Sequence, residues 1–397
     1  NPEKHVLAHV FKVVADPYMG KIGVFRVHQG TMRKDMPLFV GDGKRPFKVA
    51  HLYQLQGKDA VEVDDLMPGD IGAIAKVDEI EFDCVLHDSH DEDHIHLVPL
   101  EFPKPMAGLA VETKKKGDEQ RLFDILGKLA MEDPTFVVER HPTSNETVIR
   151  GLGEIHLKAK LEKMANQYKL EVDTKPPRVP YRETITGSAE GIHRHKKQSG
   201  GAGQFGEVHL RIEPKGRGEG FEFVDAVKGG VIPGVFMAAV EKGVRQGLEG
   251  GVVAGYAVDD LKVTVFDGKT HAVDGKEVAF VTAGRKAVIE AIRAAKPIVL
   301  EPIVNIEITV PEAAIGDLTG DLSSRRGHIT GTDGRGHGLA AISGEVPLAE
   351  LNDYQSRLKS LTGGQGSYTI EFSRYAAVPP NVQQQMASKF QLHDEEE

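Results

Sequence analysis

HRHKKQSGGAGQFG, residues 193–206, admits two readings that lead to different folds. Gly201-x-Gly203-x-x-Gly206 is a formal match to the dinucleotide-binding fingerprint, which would place a doubly wound sheet here. That fingerprint has to follow an apolar strand and open a helix, so that a pyrophosphate sits on the helix N-terminus. Here the glycines follow His193, Arg194, His195, Lys196 and Lys197, which is not the sequence of a buried strand. They precede Glu207-Val-His-Leu-Arg-Ile-Glu-Pro214, where apolar and polar residues alternate. Period two marks a strand with one face buried, not a helix. Asp225, at about the spacing of the ribose-binding acid, is a coincidence. The dinucleotide reading therefore fails, and two remain open. One is an RNA-contacting loop, in which cations meet phosphates and side-chain-free backbone lets a polyanion approach. The other is a hairpin with a solvated basic flank.

The whole chain narrows the choice. Its 397 residues, 40% hydrophobic and 27% charged, are the composition of an ordinary globular protein of two to four domains. No apolar run approaches membrane-spanning length, no signal peptide is read, and no membrane partner is expected. A single cysteine, Cys84, excludes an internal disulfide framework and fits a reducing cytoplasm. The net charge of −10 confines any nucleic-acid contact to local patches. Residue 1 is Asn rather than Met, so a fragment or a processed product is expected.

Periodicity divides the chain. Residues 1–98 carry many short strand patterns broken by turn signals such as Gly41-Asp-Gly43 and Met67-Pro-Gly-Asp70, which predicts a small β-barrel. Pro99, Pro103 and Pro105 mark a boundary. Residues 99–175 then read β-α-β-β-α-β, with Leu122, Ile125, Leu126 and Leu129 on one helix and Leu157, Leu161, Met164 and Tyr168 on the other. This is the split-βαβ, ferredoxin-like order. A second proline cluster, Lys175-Pro-Pro-Arg-Val-Pro180, opens an α/β region over 176–297 that carries the glycine loop and a polar turn at 267–276. Residues 298–380 repeat the split-βαβ order, and the acidic tail 381–397 is expected to be disordered. The fold class is thus multidomain α+β: a small barrel, two split-βαβ domains, and between them an α/β domain with exposed tip loops.

The motifs along this framework are long. They are Asp16-Pro-Tyr-Met-Gly20, Glu132-Asp-Pro-Thr-Phe136, Gly151-Leu-Gly-Glu-Ile-His-Leu157, Gln198-Ser-Gly-Gly-Ala-Gly-Gln-Phe-Gly206 and Gly320-Asp-Leu-Ser-Ser-Arg-Arg-Gly327. On these residues the chain resembles bacterial elongation factor G, and more closely the elongation-factor-G-like paralogue branch, over its second to fifth domains. The family's first domain binds GTP and Mg²⁺ through a G-x-x-x-x-G-K-[ST] loop, and no such segment occurs here. Asp317-x-x-Gly320 and Asp333-x-x-Gly336 match a short nucleotide-site pattern that is common by chance. No cofactor, catalytic residue or metal is therefore expected in this chain, and GTP hydrolysis is expected of the missing domain alone.

The resemblance implies a monomeric factor whose partners are the ribosome and the tRNA–mRNA duplex in its decoding centre. Ser199, Gly200, Gly201, Gly203 and Gln204 match the family's first tip loop, with His195, Lys196 and Lys197 flanking it. His271, Val273 and Asp274 match the second, with Lys276 just beyond. His271 is either a partly protonated RNA contact or an exposed turn residue. Arg325 and Arg326 either meet ribosomal RNA phosphate or complement a helix C-terminus. Two departures stand out. Ala202 occupies the place of a usual arginine, and Asp274-Gly-Lys276 that of a usual D-S-S. They motivate an alternative, a ribosome-binding paralogue that does not translocate. The cluster His87-Asp-Ser-His-Asp-Glu-Asp-His-Ile-His96 has metal-ligand chemistry but no regular ligand spacing, and is read as a polar link.

Overall fold

The computed structural model describes residues 1–390 except 17, 58, 142–144 and 199–202. The chain forms two compact units, Asn1–Arg178 and Val179–Glu397.

The first unit opens with an eight-stranded antiparallel sheet. Its order is Phe47–Lys48, Pro37–Val40, Val85–His87, Leu7–Asp16, Gly20–Gln29, Ile71–Ala75, Leu52–Gln56, Asp59–Glu62. Leu38 near one edge and Leu52 near the other share one core with Val10, Phe25, Met32, Ile74 and Leu86. The sheet must therefore curl around that core, as a barrel does. Polar turn residues set its corners: the Asp16 carboxylate accepts the amides of Tyr18 and Met19 at 2.8 and 2.7 Å.

The same unit holds a four-stranded antiparallel sheet, ordered Val137–His141, Glu146–Gly151, Ala107–Thr113, Val172–Lys175. Helices α1 (Glu119–Glu132) and α2 (Glu154–Tyr168) lie in the expected split-βαβ order. Leu122, Ile125, Leu126 and Leu129 of α1 are all buried, as their 3–4 spacing predicts. Two of the long motifs meet here. Asp133, which ends α1, accepts the amide and hydroxyl of Thr135 and lies 2.9 Å from His156 Nε2 and 2.7 Å from Lys160 Nζ. Their place in the fold is thus structural, a clasp between the end of α1 and the start of α2.

The second unit contains two sheets. One is ordered Ala189–Lys197, Gln204–Pro214, Leu261–Lys269, Glu222–Asp225, the last pair parallel. Helices α3 (Met237–Glu249) and α4 (Glu277–Ala294) pack on it. They approach so closely that a Cβ on Gly243 would fall 2.0 Å from the Val281 carbonyl oxygen. The other sheet runs Arg182–Ile185, Pro297–Pro311, Leu339–Pro347, His328–Gly336, with Ser367–Ala377 along the other side of Pro297–Pro311. Its helices are α5 (Ile315–Ser324) and α6 (Tyr354–Leu361).

Three details depart from the sequence reading. Strand Arg182–Ile185 crosses the boundary placed at 297 and pairs with Pro297–Leu300. Leu348, Leu351 and Leu358 have the spacing of one helix, but the first two form a short 3₁₀ turn (Leu348–Leu351) ahead of α6. The start of the supposed disordered tail is helical: α7 spans Pro380–Lys389, and Gln383 Oε1 accepts the Val299 amide at 3.0 Å. Pro380 at N1 starts it, where a missing N–H costs nothing. Residues 391–397 lie outside the described residues. Among the described residues no helix is long and apolar enough to cross a membrane.

Candidate nucleic-acid interface

The basic run is a strand, not a loop flank. Ala189–Lys197 pairs with Gln204–Pro214 in unbroken register from Ala189↔Ile212 to Lys197↔Gln204. Val208, Leu210 and Ile212 are fully buried, so the alternation read after the glycines is the core face of this hairpin.

The five basic residues have different environments. The Arg194 guanidinium lies 2.5 Å from Glu207, whose other oxygen is 2.9 Å from His209. The Arg194 hydrogen bond to Glu207 holds that carboxyl below its usual range, against a smaller opposing effect of burial. His195 Nε2 is 3.1 Å from Gln204 Oε1, across the last rungs. Lys196 and Lys197 are exposed and make no ion pair among the described residues. Ser199, Gly200, Gly201 and Ala202 lie outside the described residues.

The second loop is welded to this hairpin. The Phe205 amide donates to the Asp274 carbonyl at 2.7 Å, and Phe205 forms a parallel bridge with Gly275. A Cβ on Gly203 would stand 2.5 Å from Asp274 Oδ1, so a larger residue there would displace the Asp274 carboxylate. Gly275 is equally constrained, since a Cβ there would lie 2.6 Å from Thr270 Oγ1 and 2.8 Å from the His271 carbonyl oxygen. Its amide donates to that carbonyl at 2.9 Å. His271 Nδ1 accepts the amides of Val273 and Asp274 at 3.3 and 3.2 Å. These contacts engage Nδ1 and leave Nε2 as the ring's other hydrogen-bonding nitrogen. The Asp274 carboxylate also lies 3.4 Å from Nδ1. Val273 is 80% exposed at the apex. Lys276 is the N-cap of α4 and makes no side-chain cap bond there. The positive end of an 18-residue helix dipole therefore opens at the tip.

His195, Lys196, Lys197, Gly203, Gln204, His271, Val273, Asp274 and Lys276 thus share one end of one domain. The joining residue, Phe205, was missed by sequence reasoning. Its only signal was a large aromatic between Gln204 and Gly206 in an otherwise small-residue loop.

Arg325 and Arg326 sit elsewhere and are occupied. Arg325, at the end of α5, lies 2.9 Å from Asp321 and 2.8 Å from Asp353, and covers the Tyr354 ring at 5.1 Å. Arg326 makes a two-pronged contact with buried Glu301 at 2.6 and 2.9 Å, and reaches Glu350 at 2.9 Å. Both guanidinium groups are thus engaged in internal ion pairs, that of Arg326 through its planar fork. His87 is buried, stacked on Phe39, with its nitrogens 2.8 and 2.7 Å from the carbonyls of Ser89 and Gly41. No group of three or more metal-capable side chains occurs among the described residues. Asp317–Gly320 lies inside α5 and Asp333–Gly336 inside an edge strand, so neither forms a phosphate-binding turn.

Comparison with known proteins gives a consistent series. Residues 5–82 match "Elongation factor G domain 2", 102–176 "Elongation Factor G, domain III", 177–296 "Elongation factor G, domain IV" and 298–386 "Elongation factor G C-terminus". An "Elongation factor G-like protein" of Thermotoga maritima is 40% identical over 384 residues, 97% of this chain and 56% of that protein. A crystal structure of a Thermus thermophilus protein aligns with a TM-score of 0.80 at 37% identity, over 97% of this chain and 57% of that one. The chain thus spans little more than half the length of these relatives.

Proposed function

This chain belongs to the elongation factor G family, and from that premise we propose that it is the ribosome-binding body of a translation GTPase that promotes tRNA–mRNA translocation. The observation that carries the proposal is the weld between the two tip loops at Phe205 and Asp274. It turns two segments about 70 residues apart in sequence into a single blunt surface.

That surface suits an A-form duplex, which is recognised by shape, phosphates and ribose hydroxyls rather than by base edges. Lys196, Lys197 and Lys276 offer cations, the α4 N-terminus offers a positive dipole end, and His271 and Gln204 offer hydrogen-bonding side chains. Between them Gly203 and Gly275 keep the backbone close. On this reading the tip enters the decoding centre as a steric wedge behind the moving tRNA. The chain works in the cytoplasm as a monomer, and RNA contact is local because the rest of the chain is acidic. GTP and Mg²⁺ belong to a nucleotide-binding domain outside these residues, because no segment here fits them, and no step is derived through them.

Gly275-Lys276 favours a second reading, a paralogue that binds the ribosome without translocating. In this conformation the Cβ of the serine usual in the family at 275 would fall 2.6 Å from Thr270 Oγ1 and 2.8 Å from the His271 carbonyl oxygen. Toeprinting on pre-translocation ribosomes with GTP, using the chain in its full-length family context, decides between them. A shift of the ribosome edge by one codon supports translocation. Retained binding without a shift supports the paralogue.

A further inference from the structure

A second cationic feature lies in the first unit, unrelated to the tip. A surface cavity of about 330 Å³ opens between the turn after strand Ala107–Thr113 and the C-terminal end of α2. Lys114, Lys115, Arg121 and Lys169 line it, with Asp118 and Glu171. Four cations against two carboxylates give it a net charge of +2 in a chain of net charge −10.

Two of the cations are held in place. Lys114 Nζ is 2.8 Å from Glu171, and Arg121 Nη2 donates to the Tyr168 carbonyl at 2.6 Å. Lys115 and Lys169 are exposed and make no ion pair among the described residues. Asp118, the N-cap of α1, makes no side-chain cap bond, so the first turn of that 14-residue helix lacks its usual internal acceptor. Fixed guanidinium, free ammonium groups and an uncapped helix start are the elements of a phosphate site.

We propose that this cavity binds consecutive phosphate groups, carried either by an RNA backbone or by a free polyphosphate. Its volume is at the low end of the ~300–1,000 Å³ of small-ligand pockets, which suits a short run of phosphates better than a whole nucleotide. Glu171 pairs with Lys114, while exposed Lys115 and Lys169 supply the charges that meet the anion. The inference is independent of the tip reading.

The test is calorimetric titration of the full chain with tripolyphosphate at low and physiological salt. Saturable binding is expected, weakened at least about tenfold by Lys115→Ala with Lys169→Ala, equivalent to about 1.4 kcal/mol. The same charge loss at exposed Lys12 and Lys158 should leave it unchanged. Circular dichroism establishes that each variant is folded. A short oligouridylate that displaces tripolyphosphate identifies an RNA backbone as the source of the phosphates, and failure to displace it identifies a free polyphosphate. Absence of saturable binding, or equal weakening by the control pair, overturns the proposal.

Discussion

Replacing Glu183 by Gln should strongly destabilise the second unit. The Glu183 side chain is fully buried, on the strand that joins the last sheet. Its Oε2 accepts the amides of Val252 and Val253 at 2.7 and 3.0 Å, and its Oε1 those of Ala254 and Tyr256 at 2.8 and 3.2 Å. One carboxylate thus organises the whole loop that follows α3. In Glu183→Gln one oxygen becomes an NH₂ group that faces two N–H donors. Two charge-assisted hydrogen bonds are lost, each worth roughly 1.5–3 kcal/mol, for a total of about 3–6 kcal/mol. A domain's whole stability is only about 5–15 kcal/mol, and in a unit of this size each kcal/mol moves Tm by about 2–4 °C. Thermal unfolding should therefore shift down by roughly 10 °C, and amide hydrogen exchange at 252–256 should accelerate ahead of the surrounding sheet. A loss below about 1 kcal/mol, with those four amides still protected, would refute the reasoning.

Four further outcomes are expected. Lys196→Ala with Lys197→Ala should weaken ribosome association and flatten its logarithmic salt dependence by about 1.5–2, if both side chains meet phosphates; an unchanged slope removes them from the interface. Gly203→Ala should displace the Asp274 carboxylate that packs against it, lowering tip-dependent activity while Tm stays within a few degrees; undiminished toeprint activity would show that this close packing is dispensable. Burial alone would raise the Asp133 pKa, but hydrogen bonds from Lys160, Thr135 and His156 prevail and hold it well below the usual carboxylate range. A depressed folded pKa gives stability that is present above the unfolded value of about 3.9 and lost as pH falls through the folded one, so Asp133→Asn should flatten acid unfolding of the first unit below about pH 4. Limited proteolysis should cut near the proline clusters at 99–105 and 175–180 and release domain-sized fragments; one cooperative melt without fragments would count against those boundaries.

Much of the fold was legible residue by residue. The α1 stripe Leu122, Ile125, Leu126 and Leu129 is buried as its spacing required. Phe236, Ala239, Val240, Gly243 and Val244 have the spacing of one helix face; the last four are buried on α3, whereas Phe236 ends the 3₁₀ turn before it and is only partly buried. The interface was less legible. The tip residues came from family resemblance, and their composition alone favoured an RNA-contacting loop while leaving a solvated hairpin open. Arg325 and Arg326 looked like free cations because a sequence shows charge but not the partners that neutralise it. Glu301, Glu350 and Asp353 reach them only through the pairing of distant elements.

Local sequence determined what a backbone enforces over a few residues. Period two against period 3.6 separated strands from helices, and the alternation of Glu207–Pro214 ruled out a dinucleotide site, because side-chain direction follows directly from φ and ψ. Prolines, which cannot donate to a ladder, gave the expected boundaries at 99–105 and 175–180. Tertiary structure decided everything that rests on atoms distant in the chain meeting within hydrogen-bonding reach. It joined Phe205 to Asp274, carried strand Arg182–Ile185 into the last sheet, and set the Glu183 carboxylate under four amides. Such contacts form because a buried polar group must find a partner wherever the fold brings one, and no local periodicity encodes which partner that is.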